Sequence, residues 1–267
     1  MATAAPTCPC WPWRATPSYG AAGASSPKRE ARMREPAVFL WLLDLDDPAL
    51  DALASCLSAQ EQARAARYRG EALQRGYRRG RAALRHILAR QTGQPPAALT
   101  LAEGPLGKPV LTHGGLHFNL SHSGTLALVA VSEVAVGIDL EQRRDGFDGA
   151  ALAPLVCHPA ERAALAALPP AQAQSRFLQL WTHKEAYCKL LGTGLHTDPA
   201  RLTFGASPGP APVSDARDPR CDAWVYPLYP ADGYAASLCV AGRGARLVWL
   251  RFQTWPAALL APGQALA

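Results

Sequence analysis

The stretch Val136-Gly137-Ile138-Asp139-Leu140-Glu141 decides how the rest of this sequence is interpreted. Its alternation predicts a strand in which Asp139 and Glu141 point to one face while Ile138 and Leu140 point to the other. Two neighbouring carboxylates repel each other unless a positive charge lies between them. A hard divalent cation such as Mg²⁺ binds one or two carboxylates and keeps its other positions for water and phosphate. An edge strand with a solvated acidic face would show the same pattern, so the flanking motifs decide between the two readings.

The composition limits the class of protein. The chain has 267 residues and is 49% hydrophobic, which excludes global disorder. Its net charge of +6 suits an acidic partner, such as a nucleic acid, a phosphate-bearing ligand or an acidic protein. Seven cysteines without a C-x-x-C pair predict neither a disulfide framework nor a zinc site. With no membrane-span pattern and no secretory signal, we expect a cytoplasmic protein that binds no membrane.

The two ends of the chain differ from its centre. Residues 1–36 are rich in Ala, Pro, Ser and Gly and predict a disordered N-terminal extension. Met33 stands just before the first predicted strand at 37–43, so our hypothesis is that the natural start is Met33 or that the extension is dispensable. Residues 256–267 predict a frayed tail.

The first half of the chain predicts two helices. Ser58 and Glu61 form a capping box that starts a short helix. A longer helix runs from about Glu71 to Ala89 and ends at Gly93. This helix carries five arginines: Arg75, Arg78, Arg79, Arg81 and Arg85. They form either a solvated basic face or, for one or two of them, a contact with ligand phosphates.

The second half predicts helices followed by strands. The helical patches are 147–156, 159–168 with Pro169-Pro170 at its end, and 175–191. The predicted strands are 201–204, 222–229, 234–240 and 246–252, with a loop at about 205–220. In the last helix Glu185 and Lys189 lie four residues apart and share one face. They form either an ordinary surface pair or part of a cleft.

Two motifs precede the acidic strand. Gly107-Lys108-Pro109 predicts a rigid turn, and its lysine is either a surface charge or a phosphate clamp. His117 to Gly124 predicts a half-buried strand with Ser121 and His122 near its end, and a hairpin with the run 126–131 brings that end near the acidic strand. Adjacent strand residues face opposite sides, so a Ser–His hydrolytic dyad is disfavoured and ligand binding is favoured.

Four motifs in this order resemble the 4′-phosphopantetheinyl transferases of the surfactin-synthetase-activating type, in the holo-acyl-carrier-protein synthase superfamily. They are Gly107–Pro109, Phe118–Gly124, Gly137–Glu141 and Trp181–Lys189. The resemblance implies an α+β fold, a pseudo-twofold pair of similar subdomains at 37–136 and 137–255. Each subdomain packs a long helix on a small antiparallel sheet, and coenzyme A lies in the cleft between them.

The resemblance also implies roles for individual residues. The metal-binding acids would be Asp139, Glu141 and Glu185. The coenzyme A contacts would be Lys108, Ser121, His122 and Lys189, with Arg75, or a neighbour such as Arg78, at the adenosine 3′-phosphate. Glu185 and Lys189 would be catalytic, with Glu185 the candidate base, directly or through a metal-bound water.

The implied reaction is the Mg²⁺-dependent transfer of 4′-phosphopantetheine from coenzyme A to a serine of an apo acyl or peptidyl carrier protein, with release of 3′,5′-ADP. Mn²⁺ is an alternative metal. We expect a monomer that binds no nucleic acid. Three other interpretations stay open: a nucleic-acid-binding protein that uses the arginine helix, a catalytically idle carrier-protein binder of the same fold, and a metal-dependent hydrolase of nucleotide pyrophosphates.

Overall fold

Two long helices and two sheets build the molecule. The computed structural model describes residues 35–104, 106–144, 146–194, 197–204 and 209–251, and these described residues belong to one compact unit. The helices are α1 (Ala59–Ala66), α2 (Glu71–Thr92), α3 (Gly149–Val156), α4 (Pro159–Ala166) and α5 (Pro170–Leu191). The strands are β1 (Ala37–Asp44), β2 (Leu101–Glu103), β3 (Pro109–Leu111), β4 (His117–Ser123), β5 (Leu126–Ser132), β6 (Val136–Gln142), β7 (Leu202–Phe204), β8 (Ala211–Asp215), β9 (Ala223–Leu228), β10 (Tyr234–Ala241) and β11 (Arg246–Arg251).

The strands form two main sheets and a small hairpin. The first sheet has the order β11-β1-β5-β4, and the second has the order β6-β10-β9-β8-β7. The strands β2 and β3 pair only with each other in the part of the chain that the structure describes. Every named pair of strands is antiparallel except β1 and β11, which run parallel. The predicted α+β fold class is confirmed.

The layers follow from the apolar faces of these elements. Leu84, Ile87 and Leu88 of α2 pack on one face of the first sheet, in a cluster with residues of β1 and β5. The other face of that sheet packs against the second sheet through β1 and β5 on one side and β6 and β10 on the other. Residues 186–188 of α5 cover the far face of the second sheet. Helix, sheet, sheet and helix therefore stack in that order.

The two long helices have matching lengths and ends. Each contains 22 residues and stops at a glycine in the left-handed region, Gly93 with φ 72° and Gly192 with φ 73°. Glycine adopts this conformation without the steric cost that a Cβ would add, and it closes a helix efficiently. The predicted capping box of Ser58 and Glu61 is present at the start of α1.

The structure differs from the predictions at two places. The helix α5 begins at Pro170, so Pro169 and Pro170 start it rather than end the preceding helix, which stops at Ala166. A proline fits the first helical turn because its missing N–H would have no partner there. The predicted loop at 205–220 contains β8, whose buried and exposed residues alternate.

Some predictions lie outside the described residues. These are the extension up to residue 34, the Met33 hypothesis and the tail at 256–267. The predicted subdomain bounds, 37–136 and 137–255, remain a prediction. The strand β11, which those bounds place in the second subdomain, pairs with β1 in the first sheet.

Candidate active site

The site is built where β6 passes beneath α5, and Gly137 makes this approach possible. A Cβ at Gly137 would overlap the carbonyl oxygen of Ala186 and the amide nitrogen of Leu190. Only glycine lets the strand and the helix backbone come this close. Asp139 and Glu141 follow Gly137 along β6. The close approach therefore places these two acids against the face of α5 that carries Glu185 and Lys189.

The predicted alternation of β6 is confirmed. Ile138 and Leu140 are buried in the core between the sheets, on the opposite face from the acids. Asp139 is 2% exposed, and its Oδ1 accepts hydrogen bonds from Lys189 Nζ at 2.5 Å and Ser121 Oγ at 3.0 Å. The ammonium group of Lys189 also donates to Ser121 Oγ at 3.0 Å. Three of the predicted site residues therefore form one bonded cluster.

The acids of the site repel one another. Burial, followed by the charge of Asp139, raises the pKa of Glu141 and that of Glu185 above their ordinary values. Lys189 acts in the opposite direction on both groups. The Oδ2 atom of Asp139 is buried and has no hydrogen-bond partner. Three carboxylates that share one ammonium group carry an excess of negative charge on hard oxygen donors, and a divalent cation can compensate for it.

Among the described residues, no three His, Cys, Asp or Glu side chains are arranged as a ready metal cage. The acids therefore offer the right donor type without a closed set of ligands. An open arrangement is the usual one for Mg²⁺, which takes few protein ligands and completes its shell with water and substrate phosphates.

Side chains of β4 join this strand to the edge of β6. The Oδ1 atom of Asn119 accepts a hydrogen bond from the Ile138 amide at 2.8 Å. The hydroxyl oxygens of Ser121 and Ser123 accept from the amides of Leu140 and Gln142, at 3.3 and 3.1 Å. Ser123 also donates to Glu141 Oε2 at 2.9 Å. The predicted approach of the Ser-His strand end to the acidic strand is confirmed.

Sequence reasoning missed the roles of Asn119 and Ser123. The available signal was their spacing, because Asn119, Ser121 and Ser123 alternate along β4 and therefore share one face. A polar face on the edge strand of a sheet usually meets water. Here it meets the backbone of another sheet.

A buried polar network fixes α5 on β10. The hydroxyl of Ser237, which pairs in register with Asp139, lies 2.7 Å from both Thr182 Oγ1 and His183 Nδ1. The side-chain nitrogen of Gln179, Nε2, donates to the Ala236 carbonyl at 3.0 Å. Burial lowers the pKa of His183 to about 3, so this imidazole is neutral. The network holds α5 at a fixed height over the strand that neighbours β6.

His122 lies on the opposite face of β4 from Ser121. Its side chain is exposed and borders a cleft of about 90 Å³ that Tyr77, Gly80 and Arg81 of α2 also line. The pKa of His122 is lowered, first because surrounding protein atoms displace water from the imidazole ring and second because Lys189 is positively charged. The imidazole is therefore mostly neutral at pH 7. His122 can therefore serve a ligand as a hydrogen-bond donor rather than as a cation.

Lys108 lies at the turn before β3, but its ammonium group faces backbone carbonyls. It donates to Val136 O at 2.9 Å and to Leu190 O at 3.1 Å. Burial lowers its pKa to about 8. The predicted contact of Lys108 with coenzyme A remains a prediction.

The arginines of α2 divide into two groups. Arg79 is buried against Asp51, with bonds of 2.8 and 2.7 Å, while Arg81 and Arg85 share Glu61. Within the described residues, Arg75 makes a long ion pair with Glu71 at 3.5 Å, and its side chain is half-buried. Arg78 donates to the side chain of Gln74 at 3.3 Å. Three of the five arginines are thus engaged in structural ion pairs, which weakens the nucleic-acid interpretation.

Comparisons with known proteins agree with this arrangement. A profile of the 4′-phosphopantetheinyl transferase superfamily matches residues 135–239, and a second one, for the N-terminal part of 4′-phosphopantetheinyl transferases, matches residues 46–134. The 4′-phosphopantetheinyl transferase HetI of Nostoc sp. is 38% identical over 78% of this chain and 89% of its own length. The transferase psf-1 of Bacillus pumilus is 32% identical over 58% of this chain and 68% of its own.

One solved structure is also similar to part of this chain. The holo-[acyl-carrier-protein] synthase of Thermotoga maritima overlaps 41% of this chain and 64% of its own, with a TM-score of 0.35 and 23% identity. No helix in the described ranges is both long and apolar enough to cross a membrane. From its two profile matches and its relatives, the chain belongs to the 4′-phosphopantetheinyl transferase superfamily and is a transferase of that kind.

Proposed function

We propose that the protein transfers 4′-phosphopantetheine from coenzyme A to a serine of an apo acyl or peptidyl carrier protein, with Mg²⁺, and releases 3′,5′-ADP. The observation that supports this most directly is the convergence of Asp139, Glu141, Glu185 and Lys189 at the contact between β6 and α5. Acids that repel one another beside a single ammonium group suit a site that binds a cation and phosphates together.

Asp139, Glu141 and Glu185 would hold the metal. The unpartnered, buried Oδ2 of Asp139 supports this assignment, since a buried carboxylate oxygen without a partner is costly. Mg²⁺ would supply charge stabilisation for the pyrophosphate, and Mn²⁺ offers the same chemistry.

The ligand contacts follow from the side chains around the acids. Lys189 lies between Asp139 and Ser121 and provides a point charge for a phosphate. Ser121 and the neutral imidazole of His122 provide hydrogen bonds. Arg75, or its neighbour Arg78, is the candidate for the adenosine 3′-phosphate, because neither belongs to the ion pairs that α2 forms with Asp51 and Glu61.

The reaction has one bond made and one broken. The serine oxygen of the carrier attacks the phosphorus next to the pantetheine, and the bond from that phosphorus to the bridging oxygen of 3′,5′-ADP breaks. The candidate acceptor of the serine proton is the carboxylate of Glu185, which takes the proton directly or through a water molecule. Negative charge grows on the leaving 3′,5′-ADP, where Lys189 offsets it. Positioning and charge stabilisation dominate in transfers of this type.

The net charge of +6 supports an acidic carrier protein as the partner, because opposite charges speed the encounter of two proteins. We also propose that the protein works as a monomer in the cytoplasm, since one chain supplies both the β4 and the α5 sides of the site.

The test is an intact-mass measurement of an apo carrier protein after incubation with the protein, coenzyme A and Mg²⁺. We expect the mass of one phosphopantetheine to be added, and we expect EDTA to prevent this until Mg²⁺ is restored. Asp139→Ala should reduce the rate at least ~100-fold. Glu133→Gln, which neutralises an exposed acid in the turn before β6, serves as the matched control.

Three outcomes would contradict the proposal. Full activity in Asp139→Ala would remove the metal-binding role of this acid. Release of free phosphopantetheine at an equal rate without any carrier would indicate a pyrophosphate hydrolase instead. Lack of modification of every carrier tested, with coenzyme A still bound, would support the idle binder.

A further inference from the structure

Lys108 connects three separate parts of the molecule. Its backbone belongs to the turn that precedes β3, in the first half of the chain. Its ammonium group donates to the carbonyls of Val136 and Leu190, at 2.9 and 3.1 Å. Its methylene stem lies beside Gly192, where a Cβ would stand 3.5 Å from Lys108 Cδ. One side chain thus touches the start of β6 and the end of α5 together.

Both carbonyls belong to the elements that carry the site. Val136 is the first residue of β6, immediately before Gly137 and three residues before Asp139. Leu190 follows Lys189 directly in the last turn of α5. Carbonyls in the last turn of a helix lack intrahelical partners, and a cation there is also favoured by the helix dipole. Lys108 therefore satisfies a helix end and fastens it to the strand.

These contacts argue against a phosphate clamp. An ammonium group has three donors, and two of those of Lys108 are directed to backbone carbonyls. Lys189, which bonds Asp139 and Ser121, lies within the acid cluster and is the better placed cation for a phosphate.

We propose that Lys108 is a positioning residue, which holds the end of α5 on β6 and so keeps Glu185 and Lys189 opposite Asp139 and Glu141. This role rests on the proposed function. It differs from the coenzyme A contact that the sequence motif predicts, because Lys108 acts on the reaction through α5 and does not touch the ligand.

The test uses the full chain with Lys108→Met, which keeps the length of the side chain and removes its donors. The matched control is Arg220→Met, which removes an exposed cation. We expect kcat to fall roughly 10- to 100-fold, because small displacements of reacting groups are costly. The Kd of coenzyme A, measured by calorimetry with Mg²⁺, should stay within about twofold of the wild type, since no ligand contact is lost.

A second measurement does not depend on transfer. The amides of Gly192 and Thr193 both bond the Cys188 carbonyl at the end of α5. Their hydrogen exchange should be faster in Lys108→Met than in the wild type and in the control. Lys108→Arg retains donors and should recover part of the kcat. If Lys108→Met does not fold, the same measurements are made on Lys108→Gln, which keeps one amide group as a donor.

The outcomes are separable. A rise in the Kd of coenzyme A of about tenfold, with kcat at saturating coenzyme A unchanged, would overturn the proposal in favour of a phosphate clamp. Unchanged kcat and unchanged exchange would overturn it as well. If the wild type transfers nothing, the proposed function fails, whereas faster exchange at Gly192 and Thr193 in the variant would still support the positioning role.

Discussion

Glu61 shows how a single buried residue organises the first half of the chain. It is 6% exposed, and its carboxylate accepts hydrogen bonds from Arg81 at 3.0 Å, Arg85 at 2.7 Å and the Ser58 amide at 3.0 Å. Arg85 continues to the carbonyls of residues 96 and 99. One carboxylate therefore links α1, α2 and the segment that leads to β2.

The pKa of Glu61 makes this link dependent on pH. Burial acts to raise the pKa, but the Ser58 amide and the two guanidinium groups outweigh it, so the pKa is lowered. A carboxyl whose folded pKa lies below its unfolded value adds stability above the unfolded value of about 4.3. That stability is lost as the pH falls through the folded pKa.

We expect Glu61→Gln to lower the free energy of unfolding by about 3–5 kcal/mol at pH 7, because it leaves the buried guanidinium of Arg85 and the partly buried one of Arg81 without a counter-charge. The difference from the wild type should shrink as the pH falls below about 4, since the wild-type carboxyl is then protonated as well. Urea unfolding across this pH range is the measurement.

The control for this change is Glu103→Gln. Glu103 pairs with Arg64 at 3.1 Å, but both side chains are more than half exposed. Its loss should cost under about 1 kcal/mol. Equal losses in the two variants would show that the buried ion pairs of Glu61 contribute no more than a surface pair.

At the level of elements, the contact between β6 and α5 controls the site. The two share the close approach at Gly137, and the Ser237 network also holds α5 on the neighbouring strand β10. A strand acid and a helix lysine meet only if both elements keep their separation and register. The chemistry therefore depends on packing as much as on the acids themselves.

Gly137→Ala tests this dependence. The added methyl group would overlap the backbone of α5, so the helix must shift, at a cost of about 1–3 kcal/mol. Glu185 and Lys189 would move with it, and we expect the transfer rate to fall by roughly 100-fold. Denaturant unfolding and the carrier assay measure the two effects.

Gly76→Ala is the matched control within a helix. A Cβ at Gly76 would stand 3.9 Å from Leu45 Cδ1, an ordinary contact. Alanine in a helix interior is favoured over glycine by about 0.5–1 kcal/mol, so this variant should be slightly more stable than the wild type. If Gly137→Ala kept both the stability and the rate of the wild type, the close approach would have no mechanical role.

The sequence predicted single elements better than the joints between them. The alternation in β6, the capping box of α1 and the pairing of β4 with β5 follow from local spacing, which local physics largely determines. The amides of β6 donate hydrogen bonds to Asn119 and Ser123 and so join the edges of two sheets. No periodicity in the sequence predicts such a contact. The carbonyl partners of Lys108 were missed for the same reason, since they lie 28 and 82 residues away from it in the sequence.

At the scale of the whole molecule, the first and last described strands share a sheet. Residues 37–42 of β1 pair in parallel with residues 246–251 of β11. The chain thus returns from the second sheet to complete the first. Parallel pairing over this sequence separation is costly in loop entropy, so the packed sheet must compensate for it.

Two truncated chains test the contribution of β11. Ending the chain after Ala245 removes the strand, and ending it after Arg251 keeps it. We expect the shorter chain to have a midpoint of thermal unfolding lower by at least several degrees, because β1 loses its backbone partner on one side. It should also lose transfer activity. Equal midpoints in the two chains would mean that β11 adds no stability to the sheet.

The seam between β4 and β6 is closed by three side chains rather than by main chain, and this gives it an unusual property. A main-chain ladder is nearly indifferent to sequence, whereas this seam gains or loses a bond with each exchange at 119, 121 or 123. Single substitutions at these positions can therefore weaken the contact between β4 and β6 step by step, while the main-chain pairing within each sheet stays the same. Ser121 and Ser123 also hold the carboxylates of Asp139 and Glu141. The same two hydroxyl groups therefore affect both the contact between the strands and the environment of the two carboxylates.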